Sequence, residues 1–214
     1  MTEMAATQTK PFPRDAANLG FWGIILVLAG TIISYIPIIS LLGGLASLAG
    51  GIMSLIAYFK LAEAWKDEKV KHYTIWLIVS IGIMVVLAII GSIIISIGMA
   101  AGAASVIDTT NPQQMDPTVF ISLLLGAGIM GIIGFLIILA GLILVGFFYY
   151  KLYERIGEVS GISEFKTAGL LTLIGVLTVV LLGLGILISF VGTVFAVIAW
   201  AKARQVTVDY KVED

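Results

Sequence analysis

The chain has 214 residues, 60% of them hydrophobic and 12% charged, with a mean hydropathy of +1.12. Soluble domains carry about 25% charged residues, so this composition excludes an ordinary globular domain and marks an integral membrane protein. Twelve Lys and Arg against thirteen Asp and Glu exclude a nucleic-acid surface, and the lack of cysteine excludes disulfides, thiolate metal sites and thiol catalysis.

Residues 1–17 contain two acidic residues and two prolines, with no apolar core ahead of a small-residue cleavage site; they read as a cytoplasmic N-terminal tail, not a signal peptide. Beyond them, uncharged runs cover 16–59, 72–107 (counting His72 neutral), 117–150 and 167–201. A crossing helix needs about 20 residues, so the four runs hold six crossings. The first run breaks at Ser34-Tyr35-Ile36-Pro37, because Pro disfavours helix continuation, giving crossings at 18–38 and 41–62. The charged stretch Lys60 to His72 reads as a solvated helical extension, with Glu63 and Lys66 at i,i+3 and Asp67 and Lys71 at i,i+4. The third and fourth crossings fall at 73–99 and 119–149. Between them, 103–118 is the polar stretch of the outer side, and the two prolines and the Asn/Asp content of Asp108 to Pro117 predict a turn or loop rather than a helix. The final run breaks near Gly183-Leu184-Gly185 into two thin crossings at 167–184 and 186–203, near the lower length for spanning; 205–214 form a cytoplasmic C-terminal tail. The expected fold is an all-α membrane protein, with six transmembrane helices over 18–204 arranged as three hairpins.

All twelve Lys and Arg fall on one side of this layout. Lys10 and Arg14 precede the first crossing, Lys60, Lys66, Lys69 and Lys71 follow the second, Lys151, Arg155 and Lys166 the fourth, and Lys202, Arg204 and Lys211 the sixth. Basic residues in short loops stay cytoplasmic, so both ends of the chain are expected inside a multi-pass protein of the cell membrane. Trp22, Trp65, Trp76 and Trp200, with Tyr58, Tyr73, Tyr149, Tyr150 and Tyr153, cluster at the same ends and read as an interfacial belt. The first and last hairpins also resemble each other. Gly50 to Lys60 aligns without a gap on Gly192 to Lys202, Gly43 falls on Gly185, and Leu19-Gly20 on Ala168-Gly169 once the second turn is shortened. Both hairpins start inside, which makes this a parallel repeat.

Asn18-Leu19-Gly20-Phe21-Trp22-Gly23, a Pro-containing turn, a Gly-rich second helix ending in Lys, and Phe165-Lys166-Thr167-Ala168-Gly169-Leu170-Leu171 with Ile174-Gly175 together carry a family resemblance. The chain resembles a prokaryotic, mostly archaeal, integral membrane family catalogued as domain of unknown function 996. The resemblance implies a membrane protein and brings no activity, cofactor or site residues with it.

Acid–base chemistry and ion coupling inside a bilayer need an ionisable group facing the bundle, and none lies in 18–59, 73–107, 119–150 or 167–201, the interiors of the crossings. Ser34, Ser47, Ser54, Ser80, Ser92, Ser96, Ser122 and Ser189 have no basic partner at membrane depth and are expected to bond to a helical turn or neighbouring helix. His72 reads as an interfacial polar residue. Asp108 and Asp116 are too few for a hard-cation site, which wants six or more oxygens. No catalytic, metal or cofactor site is therefore expected, and the rim groups Glu63, His72, Glu154 and Glu158 have no spacing that suggests an enzyme.

Glycine is the positive signal, at 24 of 214 residues. Small residues let transmembrane backbones approach closely. Gly43, Ser47 and Gly51 form one four-residue ladder, and Ala46, Gly50 and Ser54 a second; Gly98 and Gly102 form a GxxxG; Gly128, Gly131 and Gly134 recur every three residues. Helices two, three and four are expected to make the tightest contacts. The reading is a non-enzymatic membrane protein of structural, scaffold or accessory role, whose partners are the lipid bilayer, a second copy or another membrane protein. The alternative is a channel or transporter for a neutral or apolar solute.

Overall fold

The computed structural model describes residues 9–107, 117–179 and 184–208, with the side chains of 101–127 outside that description. The elements run β1 (Phe12–Pro13), α1 (Arg14–Ser34), a single 3-10 turn (Pro37–Ile39), α2 (Ser40–Trp65), α3 (Glu68–Ile107), α4 (Pro117–Ser160), α5 (Ser163–Leu177), α6 (Leu184–Gln205) and β2 (Thr207–Val208). Asp108 and Asp116 lie outside the described residues. Among the described residues the regular structure is all helical apart from one two-residue parallel bridge, in which Phe12 pairs with Thr207 and Pro13 with Val208. It divides into two compact units, residues 1–78 with 146–214, and residues 79–145.

Five of the six helices are long and apolar enough to cross a membrane. α5 is not: 15 residues rise about 22 Å, short of a hydrocarbon core about 30 Å thick. The last uncharged run does fold as two helices, but its 35 residues are too few for two full crossings with a turn between them. Thr178 and Val179 form the turn that ends α5. By contrast α3 and α4, at 40 and 44 residues, rise about 60 and 66 Å.

α1 stops at Ser34 because Pro37 lacks an N–H, and Tyr35 and Ile36 close the turn onto the Ile32 and Ile33 carbonyls. The charged connection after α2 departs from the expected helical extension. α2 ends at Trp65 in a Schellman motif: Lys66, at φ +49°, donates its N–H to the Glu63 carbonyl, and the Asp67 N–H reaches Ala62. Asp67 then caps α3, its Oδ1 accepting the Lys69 and Val70 amides at 2.9 and 3.1 Å. A local cap satisfies the helix-end carbonyls and amides more completely than an exposed i,i+4 ion pair would, so the chain turns here.

Candidate functional site

Two kinds of packing hold the described molecule together, and the glycines define the first. In the α1–α2 hairpin Gly23 faces Gly50 and Gly30 faces Gly43. A Cβ built on Gly23 would lie 2.8 Å from the Gly50 carbonyl oxygen, and one on Gly43 would lie 2.6 Å from that of Gly30. Ser47 and Ser54 fill the intervals, each with its backbone N–H inside the reach of a Cβ on Gly30 or Gly23. The facing positions are thus 23, 27, 30 and 34 on one helix and 43, 47, 50 and 54 on the other. They step by four, three and four residues, close to the helical period, which keeps one stripe against its partner along the helix length.

The α5–α6 hairpin repeats this register. Gly175 faces Gly185, with the Gly185 carbonyl 2.7 Å from a Cβ on Gly175, and Gly192 faces Ala168 and Thr172 at 3.2 and 3.0 Å. Its positions are 168, 172, 175 and 179 against 185, 189, 192 and 196. Within the unit 79–145, α3 and α4 use the same device: a Cβ on Gly91 would lie 2.6 Å from the Gly134 carbonyl, and one on Gly141 would lie 3.0 Å from Met84 Cα.

The expected packing residues divide accordingly. Gly43, Ser47, Gly50 and Gly134 lie on these seams, whereas a Cβ on Gly51, Gly128 or Gly131 would meet nothing within 4 Å. Gly98 is buried in α3, and the surroundings of Gly102 lie outside the described residues. The expectation that helices two, three and four make the tightest contacts needs correcting. α2 closes onto α1, and α5 onto α6, as tightly as α3 onto α4. The reason is the period, since a strict four-residue ladder drifts off a stripe that steps by four, three and four, and each proposed α2 ladder took half of the true face. The facing residues also set Gly23, not Leu19, in the position of Ala168. Gly20 instead accommodates the Trp200 ring, and Gly169 packs on Tyr150 and Tyr153.

Serine hydroxyls behave as expected of unactivated groups. Ser34 donates to the Gly30 carbonyl at 2.8 Å, Ser54 to Gly50 at 3.0 Å, Ser96 to Ser92 at 2.8 Å, and Ser47 reaches across to Val27 at 3.5 Å.

The second kind of packing gathers at the charged ends of the helices. Phe12, wholly buried, stands in a socket of Trp65, Phe165 and Trp200, with ring centroids 5.0, 5.8 and 5.9 Å away. Tyr58 and Tyr153 continue the cluster; their hydroxyls meet at 3.1 Å, and Trp200 Nε1 donates to the Tyr153 hydroxyl at 3.3 Å. Tyr149 stacks on Tyr153 at 4.3 Å. Trp65, Trp200, Tyr58 and Tyr153 are therefore core residues, not parts of an interfacial belt. Trp22 and Trp76, 51% and 43% exposed, keep the belt reading. Burying rings this large contributes far more than a headgroup contact, which is why four of them turn inward.

Backbone and ionic ties fix the socket. Trp65 Nε1 donates to the Pro11 carbonyl at 2.8 Å, Lys10 Nζ donates to the Trp65 carbonyl, and the Lys10 amide to Val159 at 2.9 Å. Arg155 grips Asp67 Oδ2 through Nε at 3.1 Å and Nη2 at 2.8 Å, while Nη1 reaches Glu158 at 3.2 Å. Burial alone would raise the Asp67 carboxyl; the Arg155 guanidinium and the two capping amides reverse that and hold it below its ordinary range. Each outer hairpin is also closed by an ion pair from its second helix to the start of its first, Lys60 to Asp15 and Lys202 to Glu164. The Lys202 ammonium holds the Glu164 carboxyl below the usual range. Glu154 binds Lys151 and the Tyr150 hydroxyl, Glu63 is exposed, and exposed His72 packs edge-on against Tyr73 and Trp76. Among the described residues no group of three or more His, Asp or Glu is placed to hold a metal.

Sequence reasoning missed the socket and the Arg155–Asp67 pair. Pro11-Phe12-Pro13, an aromatic between two prolines beside the first helix, was the available signal for the former. Arg155 and Asp67 stand 88 residues apart, beyond any local pattern.

No solved structure matches this chain. It is similar to the uncharacterized protein MJ1644 of Methanocaldococcus jannaschii, 24% identical over 187 residues that cover 87% of this chain and 90% of the relative. The model of a family described as protein of unknown function (DUF996) matches residues 46–194, which include the α5–α6 seam residues as far as Gly192, the α3–α4 seam and both partners of the Arg155–Asp67 pair, and the chain belongs to that family.

Proposed function

We propose that the protein is a non-enzymatic, multi-pass component of the cell membrane that acts by helix packing, as a structural or accessory partner of itself, other membrane proteins or lipid. The observation that supports this most directly is the common seam: three hairpins close on backbone-to-backbone contacts at small residues, and among the described residues no buried side-chain nitrogen or oxygen lacks a hydrogen-bond partner. Groups poised for chemistry are generally left partly unsatisfied or perturbed within a cleft, whereas these polar atoms are consumed by structure. In this reading the charged ends face the cytoplasm, α1–α2 and α5–α6 form a parallel repeat, and α3–α4 is a third hairpin of the same spacing. Crosslinking in native membranes followed by partner capture tests it, with discrete crosslinked species expected. Reporters fused at 108–116 and at the C-terminus test the orientation, and a cytoplasmic 108–116 segment overturns it.

The second reading is passage of a neutral or apolar solute; an open groove of about 730 Å³ along α3 places Ser92 and Ser96 among apolar side chains of that one helix, a surface such a solute could meet but not an enclosed path. Hydroxyls and carbonyls can select such a solute without charge. Liposomes carrying the purified protein decide between the two. Solute flux well above that of protein-free liposomes establishes the second and sinks the first.

A further inference from the structure

Where residues 9–13 cross the end of α4, the surface is hollowed into a cavity of about 690 Å³ walled by Thr9, Lys10, Asp67, Arg155, Glu158 and Lys166. Three cations face two carboxylates, but their charges are unevenly engaged. Arg155 is committed to both Asp67 and Glu158. Lys10 gives its hydrogen bond to a neutral acceptor, the Trp65 carbonyl, and Lys166 is attracted by Glu154 without a direct ion pair among the described residues. Two ammonium groups therefore border the cavity without a contact ion pair among the described residues, and the three cations outnumber the two carboxylates of the wall.

Glycines bring them there. A Cβ on Gly157 would lie 2.8 Å from Lys166 Cγ, so only a bare backbone lets the lysine stem lie along this wall. Gly161, at φ +75°, ends α4 in a conformation an L side chain resists, and a Cβ there would lie 2.8 Å from Thr9 Cγ2. The same turn thus admits Thr9 and Lys10 to the opposite wall. Ammonium groups converging on a cavity of this size suit a phosphate oxygen cluster, which lysine binds as a point charge. The cavity lies among the charged helix ends that flank the apolar runs, the depth at which headgroups reside.

We propose that this cavity binds a phosphate group, free or carried by a lipid headgroup, with Lys10 and Lys166 supplying its counter-charge. The site is local: the charged end as a whole, nearly balanced in sign, is no polybasic surface.

The full-length protein in neutral-detergent micelles is titrated with inorganic phosphate, with glycerol phosphate, and with short-chain phosphatidylglycerol against diacylglycerol, reading phosphorus NMR linewidths and melting temperature. Saturable binding of at least one phosphate-bearing probe is expected. Its dissociation constant should rise about tenfold in Lys166→Gln and further in the double variant with Lys10→Gln, while Lys69→Gln leaves it unchanged. Phosphatidylglycerol binding without free phosphate assigns a headgroup; the reverse assigns a soluble phosphate. Because Lys10 also ties the N-terminal segment to α2, Lys166→Gln, which breaks no hydrogen bond or ion pair among the described residues, decides the matter. Absence of saturable binding by any probe, or binding indifferent to Lys166→Gln, overturns the proposal.

Discussion

The hairpin seams and the aromatic socket hold helices together by opposite means. Along the seams, glycine removes the side chain so that backbones touch; at the charged ends, Trp, Tyr and Phe rings fill the space between helices. The difference follows from solvent. In lipid a large apolar side chain gains nothing by turning inward, since the tails outside are as apolar as the bundle, and association relies on close van der Waals contact. Near water the hydrophobic effect returns, and rings that each bury some 150–250 Å² become the stronger adhesive.

The sharpest way to break this contrast is to put a side chain into a seam. Gly50→Leu would drive carbons into the Gly23 carbonyl and onto Val27, whose amide nitrogen lies 2.7 Å from the Cβ position. Backbone on both sides leaves little room to yield, so a loss of about 3 kcal/mol or more is expected, at the upper end of overpacking costs. Denaturant titration in mixed micelles measures it, and an unchanged midpoint would remove the seam as the basis of hairpin closure.

Next in size is the tie beneath the socket. Asp67→Asn leaves the Arg155 guanidinium, 29% exposed, with only the exposed Glu158 as counter-charge, at a cost of about 3 kcal/mol or somewhat less given that exposure and that second partner. The native Asp67 carboxyl titrates below its unfolded value, so the pair's contribution is complete above the unfolded pKa, near 4, and disappears as pH falls through the lower folded value. Wild-type stability should therefore fall on the acid side of about pH 4, and Asp67→Asn should flatten that limb. An identical acid profile in the variant would show that other carboxylates control it.

Phe12→Ala empties the socket, but its effect is bounded by the docking of residues 9–13, because that segment can leave while the helices stay. About 2 kcal/mol, the worth of one buried ring, is the expected ceiling on what this segment contributes. Trp65 and Trp200 then become accessible, so acrylamide quenching of tryptophan fluorescence should rise before any change in helicity. Concurrent loss of helicity would mean that the socket organises the helices themselves.

The two regions were not equally legible in the sequence. Runs of uncharged residues gave the helices and the Pro37 break, because hydropathy and helix length are local properties that a bilayer constrains directly. The limits came where three-dimensional partners decide. Gly43, Ser47, Gly50 and Ser54 were all visible, yet four-residue counting split them between two ladders; only the facing helix reveals the alternation of four and three. The socket draws on residues 12, 65, 165 and 200, whose convergence no periodicity announces. Lys66 hides the α2 terminus because the left-handed cap position, usually glycine, carries a side chain here.

The smallest expected effect is the most discriminating, and it comes from the neighbour of Gly50. Gly51 sits one residue further along the same helix, yet a Cβ there meets nothing within 4 Å. Replacing it with leucine removes a poor helix former and adds apolar surface, worth roughly 0.5–1 kcal/mol of helix propensity at most. Gly51→Leu should therefore leave the denaturation midpoint equal to or slightly above that of the native chain, in contrast to the loss at Gly50. In native membranes the same substitution asks a second question. Packing onto another chain through this outward face requires the small residue, so a loss of crosslinked species in Gly51→Leu, with monomer stability intact, would place a partner helix there; unchanged crosslinking would assign the face to lipid.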